Sequence, residues 1–506
     1  MGAHVKTEMN EFTRRRLLRD AITIVGAVAA AAVPHPAFAR QRGSADAGGT
    51  TPAGGAAADN TLALARAVNR MRYEDLPSRA IEHAKMILAS TLSSAAPGAL
   101  IESARILRDL AKERGGRPEA TVWFDAARLP AASAARVNAG LSDAAASDDS
   151  DIRNTAHYGT TLASAGLAIA ERTGATSKDL LGAMVIGYEA AGRIGDARRG
   201  GRGGLHASQL VAFGGAVATA RLLKLTDQQM AHALGIVATT MGGIAIGTNS
   251  WAREYMGANA AGSGVDAAEA AARGFTVNDD MLGARGGFID VFGGGRDAVR
   301  LLSGDLGQRW DIVEFLAIKL WPGAHPFSGT LEAAVNAARQ ANVPADSVAK
   351  ILIAGPGRTN IGGSRRPRDL VEAIHSLPYF VASAVADKDF TWIHATEGKI
   401  FDPVVARLMG VVDLDPAPPP VSYKWSWGGS VTLVTTSDQR FTSTVDAPRG
   451  SGPRGIEWSD VDAKYHALMP DSKLPAARLG QILDQIHQFD RVNSVPAFAR
   501  LLTPGG

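Results

Sequence analysis

The sequence predicts a mainly α fold, a large all-helical domain carrying a smaller α+β lid domain, on three observations. Apolar residues recur at helical spacing from Thr61 to about Lys319. Strand-like runs appear only between about residues 340 and 445, and helical spacing returns from Trp458. The 506 residues suffice to bury a large core, and 46% hydrophobic with 20% charged residues describes a folded chain, not a disordered one.

Taken in order, the chain opens with an export address. Arg14-Arg15-Arg16-Leu17-Leu18 precedes a short apolar run from Ala21 to Val33, and Ala37-Phe38-Ala39 is a small-x-small cleavage pattern. Adjacent arginines before Leu-Leu point to the twin-arginine route and the periplasm, and the run is too short to span a bilayer. Uncleaved, it would be a membrane anchor. Residues 40–60 are rich in Gly, Ala, Ser and Thr and read as a linker.

Ser78 starts a helix whose face carries Ile81, Ala84, Leu88 and Leu92. Runs 160–172, 179–194, 208–223 and 227–241 repeat that spacing, and 258–274 is so rich in Ala, Gly and Ser that it reads as a closely packed interior helix. Val348 to Ala354 reads as a buried strand. Ser430–Thr436 and Arg440–Val445 form a hairpin around Ser437-Asp438-Gln439, with helices at 368–386 and 401–409 between. The resulting division is a signal at 1–39, a linker at 40–60, a helical domain at 61–330, a lid at 331–455 and C-terminal helices at 456–506 that pack on the helical domain.

Composition removes whole function classes. No cysteine means no disulfide, no thiolate nucleophile and no cysteine-ligated zinc or iron–sulfur site. The net charge of +3 falls to +1 once residues 1–39 are removed, so nucleic-acid binding has no electrostatic support. No Gly-x-Ser-x-Gly elbow occurs, Gly293–Gly295 and Gly355-Pro356-Gly357 lack the strand–helix context of a phosphate loop, and the histidines show no metal-ligand spacing.

Several landmarks, read in order, resemble the MmgE/PrpD family, which contains 2-methylcitrate dehydratase and cis-aconitate decarboxylase. Asp148-Asp149-Ser150 stands where that family has Asp-Asp-Thr, and His157-Tyr158-Gly159 where His-Pro-Gly is common. Gly187-Tyr188-Glu189 with Arg193, Leu205-His206-Ala207-Ser208, Arg273-Gly274-Phe275, Lys319-Leu320-Trp321-Pro322, Ser376-Leu377-Pro378-Tyr379 and Pro448-Arg449-Gly450 follow over residues 61–502. The resemblance implies a homodimer that needs no metal or organic cofactor. It also implies a reaction that abstracts a proton beside a carboxylate, then eliminates, decarboxylates or epimerises. Three positions depart from the pattern: Ala146 replaces an acidic residue, Trp251-Ala252-Arg253-Glu254-Tyr255 replaces Lys-Pro-Leu-His, and His325 is displaced by one. The substrate of a characterised member is therefore not carried over.

Proton removal next to a carboxylate needs a base and positive charge for the developing enediolate. His157 and His206 are the candidate acid–base groups, because imidazole titrates near working pH; a core histidine bonded to a carbonyl is the plain alternative for each. Asp149 is chosen over Asp148 to orient a histidine, the pair otherwise reading as a loop or cap. Lys319 supplies charge unless it is a surface lysine, and Arg253 stands in for the missing lysine. Ser150, Tyr255 and His325 are candidate substrate contacts. The basic run Arg198-Arg199-Gly200-Gly201-Arg202 reads as a solvated loop or as a lid over anionic groups. The leading expectation is an exported lyase acting on a small carboxylated substrate; an isomerase on the same scaffold and a non-catalytic periplasmic binding protein are the alternatives.

Overall fold

The computed structural model describes residues 59–505 apart from 202 and 241. The export-signal expectation, and the linker expectation up to residue 58, lie outside the described residues. Asp59 is a helix cap, accepting the Leu62 amide at 2.9 Å, so α1 (Asn60–Arg70) begins within the segment expected as linker.

The helical layer continues with α2 (Ser78–Gly98), α3 (Glu102–Arg114), α4 (Ala131–Ala144), α5 (Tyr158–Thr173), α6 (Ser177–Arg198), α7 (Ser208–Leu222), α8 (Asp227–Thr239) and α9 (Ala252–Ala272). Local chemistry fixes the ends of several. Thr176 with Asp179, and Thr226 with Gln229, form reciprocal capping boxes at the starts of α6 and α8. Small residues set the spacing in the interior. A Cβ on Gly264 would sit 2.8 Å from the Ala212 carbonyl oxygen, so α9 lies directly on α7. Beyond α9 the helical pattern lapses into turns and short pieces at Phe288–Phe292 and Arg296–Leu301, where glycines punctuate the chain.

Two short strands that the sequence did not announce, β1 (Asp149–Asp151) and β2 (Leu316–Ile318), pair antiparallel. The lid follows. α10 (Ser328–Ala341) covers a four-stranded sheet in which β3 (Val348–Ala354) runs parallel to β4 (Val412–Leu414) and antiparallel to β5 (Gly429–Thr435), and β5 pairs with β6 (Arg440–Val445). The single helix expected over 368–386 is two. Ser376 accepts the Tyr379 amide and Pro378 lies in the first turn, so Leu377 opens a new helix, α11 (Leu377–Asp387). The expected helix at 401–409 is α12 (Pro403–Gly410).

Two apolar cores result within one unit, Ala58–Gly506. The lid core lies between its sheet and α10, α11 and α12. The larger core joins the first nine helices to α13 (Trp458–Leu468), α14 (Ala476–His487) and α15 (Val495–Leu501). Among the described residues no single helix is long and apolar enough to cross a membrane.

Candidate active site

The site starts at the end of α4. Ala146 takes a left-handed turn, φ 50°, and its carbonyl accepts the Gly323 amide at 3.0 Å and Lys319 Nζ at 3.1 Å. The chain then enters β1, whose register on β2 sets Asp149 opposite Ile318. Asp148 and Lys319, the residues flanking that pair, meet at 2.9 Å, both buried.

Asp148 is the centre of the polar cluster. Its second oxygen accepts the Thr160 hydroxyl at 3.1 Å and lies 3.4 Å from His157 Nδ1. Burial pushes its carboxyl up, but His157, Lys319 and Arg253 outweigh that and hold it well below the usual carboxylate range. Asp149, the expected orienting carboxylate, does something else with its side chain. It accepts the Gly159 amide at 2.9 Å at the start of α5, where negative charge is favoured, and a Cβ on Gly159 would collide with it. Burial, then the neighbouring Asp148, pushes Asp149 up to about 6. Two consecutive aspartates thus have opposite environments, and only the fold assigns them.

The Asp149 backbone fixes His157. Its carbonyl lies 2.5 Å from His157 Nδ1. A carbonyl only accepts, so Nδ1 carries a proton, and Nε2 is the ring nitrogen left to gain or lose one, in a ring that lines the cleft. Ser150 Oγ stands 3.2 Å from the same Nδ1 and 3.0 Å from His325 Nδ1, bridging the two imidazoles. His325 is buried against Trp427, and burial with Lys319 holds it well below the usual imidazole range.

His206 is neutral, with its proton on the other ring nitrogen. The Ser208 amide donates to its Nδ1 at 3.2 Å, which places the ring proton on Nε2. Burial pulls its pKa down to about 4. His206 therefore enters as a hydrogen-bond donor, which refines the acid–base role expected of it. Arg253 is buried and kept charged by Asp143 and Glu254 in spite of burial; its Nη2 donates to the Asp143 carbonyl at 3.0 Å, closing the end of α4. Tyr255 stands apart. It is 62% exposed and lines a separate cavity with Met256 and Ile244, so it is not a contact of this cleft.

The cleft, about 290 Å³, is lined by His157, His206, Arg253, Lys319 and His325, by Arg198, the first residue of the basic run, and by His375, which was not expected from the sequence. His375 donates from Nδ1 to the Val371 carbonyl at 2.8 Å, leaving an unprotonated Nε2, and burial pulls it down to about 4. Arg198 ends α6; its Nε is buried without a partner, and no acidic side chain among the described residues pairs with it. The basic run was legible, but its first arginine does not lie in a solvated loop. His375 had a signal too, standing directly before the Ser376-Leu377-Pro378-Tyr379 landmark.

Asp143, Asp148 and His157 bring three donor atoms within 4.8 Å of one another, a geometry that invites a cation. Lys319 and Arg253 already bring two cations to those carboxylates, so the donor set is neutralised from within. Behind the cleft, buried Arg153 pairs with Asp151, Asp196 and Asp311 at 2.6, 2.6 and 2.9 Å, locking β1 to α6.

Comparison with known proteins places the chain in a family. The chain is 24% identical over 428 residues to cis-aconitate decarboxylase of Homo sapiens, covering 80% of this chain and 87% of that protein. The family models for the MmgE/PrpD N-terminal domain and the MmgE/PrpD C-terminal domain match residues 62–300 and 321–486. With its helical layer and its lid both matched, the chain belongs to the MmgE/PrpD family.

Proposed function

We propose that the protein is a lyase that abstracts a proton beside a carboxylate of a small anionic substrate. One observation carries this reading: a cleft with no acidic lining among the described residues presents Nε2 of His157 together with Arg198, whose guanidinium has no acidic partner among the described residues. Arg198 anchors a substrate carboxylate, and Lys319, Arg253 and the Nε2–H of His206 stabilise the enediolate that develops when the proton moves to His157. Collapse of that enediolate moves the electron pair of the broken C–H bond into a new double bond and expels a β-leaving group; in the decarboxylating variant the pair comes instead from the broken bond to carbon dioxide, and the same groups stabilise it until a proton is delivered to carbon. Asp148 keeps Lys319 in place, and Ser150 and His325 hold the His157 ring.

An isomerase is the second reading, supported by His375, which offers an unprotonated ring nitrogen to the same cleft. Proton NMR of the chain in deuterated buffer with a panel of small carboxylic acids separates the readings. Loss of an α-proton signal with new vinyl signals means elimination, and deuteration with inverted configuration means epimerisation. Binding without exchange by any panel member would overturn both and leave the binding-protein alternative. Export by the twin-arginine route, with the mature chain in the periplasm, remains part of this proposal and is tested by fractionation and N-terminal sequencing. A homodimer is supported by exposed Ile244, Ile246 and Trp251 near the exposed Tyr255; Ile246→Asp then yields monomers in light scattering.

A further inference from the structure

A second buried lysine lies behind the site, on the far side from the cleft. α13 buries Asp460, Val461, Lys464, Tyr465 and Leu468; Asp460 pairs with Arg449, and Lys464 sits one turn further on at a core position beside Val461, Tyr465 and Leu468. Its Nζ donates to Ser90 Oγ on α2 at 2.7 Å and to the Ser147 carbonyl, and sits 5.9 Å from the centre of the Trp392 ring in the lid. Ser147 is the residue between Ala146, whose carbonyl Lys319 holds, and Asp148. Two lysines thus take consecutive carbonyls of one turn, at the point where a non-glycine residue is left-handed.

Nothing in the proposed chemistry requires a charge at Lys464, yet burying one is costly. Burial pulls its ammonium down to about 7, with Lys319 adding to the fall and Asp148 and Asp149 opposing it. Either protonation state keeps N–H groups for Ser147 and Ser90. What the residue supplies in both states is a hydrogen-bond donor that a hydrocarbon side chain would lack, so its loss leaves a buried carbonyl unsatisfied next to Asp148.

We propose that Lys464 is a positioning residue: by holding the Ser147 carbonyl from behind, it sets the turn that delivers Asp148 to Lys319 and the Asp149 carbonyl to His157. This rests on the lyase reading of the same site. It makes the C-terminal helix a working part of the active site, acting through the backbone without touching substrate.

The test uses the full chain with Lys464→Ala. A cavity of about 430 Å³ bordered by the Lys464 stem, Trp321 and Trp392 gives a small amine a path to the vacated position. The expected result is a fall in kcat of tenfold or more with KM within twofold, and at least partial recovery of kcat on adding ethylamine. A folded variant with wild-type kcat, or a loss that ethylamine does not touch, overturns the proposal. If Lys464→Ala does not fold, Ser90→Ala decides, since it frees Nζ from its second anchor: a threefold or greater loss of kcat at constant KM is expected, and unchanged kcat overturns the proposal. ¹⁵N-histidine NMR of the same folded variant reads the Nδ1–H of His157 without substrate. A change in that signal, reversed by ethylamine, while wild-type protein exchanges no carboxylic acid, keeps the positioning role and sinks the lyase reading; an unchanged signal overturns the positioning role.

Discussion

The segments Asp148–His157 and Arg198–His206 line one cleft but are furnished differently. In the first, Asp148 accepts from Lys319 and Thr160, Asp149 from Gly159, and His157 is bonded through Nδ1, with one buried Asp149 oxygen left without a partner. In the second, Arg198 has a buried Nε with no partner, and His206 is held by a single amide. The more fully bonded segment holds its groups in one geometry before substrate arrives, as proton transfer requires. The more open one keeps its hydrogen-bonding capacity for a ligand. A buried polar group left open is costly, so its persistence argues that something fills it.

Breaking the more fully bonded side has the largest effect. Lys319→Met leaves Asp148 a buried carboxylate without its lysine, which lowers unfolding free energy by about 3–5 kcal/mol in urea titrations and abolishes turnover. Next, His157→Ala removes the base while its neighbours keep one another, so kcat falls by roughly 10²–10⁴ with the urea midpoint nearly unchanged; wild-type turnover would remove His157 from the chemistry. On the open side, Arg198→Ala has no ion pair to lose. It leaves thermal stability within about 0.5 kcal/mol and raises KM roughly tenfold to a hundredfold with little change in kcat; a kcat loss at constant KM would assign Arg198 to the transition state instead.

The remaining effect is a pH dependence. His206 and His375 each have a folded pKa near 4, below the ordinary 6.5, so the unfolded chain binds more protons between those values. Their contribution is complete above pH 6.5 and is lost as pH falls toward 4. The difference in unfolding free energy between wild type and the double variant His206→Gln/His375→Gln should shift by several kcal/mol across that window, up to about 3 for each ring. A flat difference would mean that both rings protonate freely in the native state.

Much of this was legible before the structure. Helical spacing, the single strand-rich stretch and the ordered landmarks gave the two-layer architecture, and His157, His206, Arg253, Lys319, Ser150 and His325 all lie in or beside the cleft. What failed did so for identifiable reasons. Adjacent aspartates cannot be ranked by residue type, because a three-residue ladder decides which of them meets Lys319. Tyr255 is one residue from buried Glu254 yet on the opposite, outer side of α9. Lys464 did carry a signal, a lysine three residues after Val461 and four before Leu468 on one helix face, but the landmark nearest to it, Pro448-Arg449-Gly450, ends before that helix begins.

The polypeptide passes between its two cores twice, once after β2 and once before α13, and the two crossings are stitched together: Ile318 donates to the Gly450 carbonyl at 2.8 Å, and Ala317 is bridged to Ser451. Any swing of the lid has to turn about this seam. Lys319 is the next residue along it, and points nearest an axis of rotation travel least. A lid turning there would open at its far rim while the lysine and the carboxylate it grips kept their separation, as the pin of a door keeps its place when the door opens.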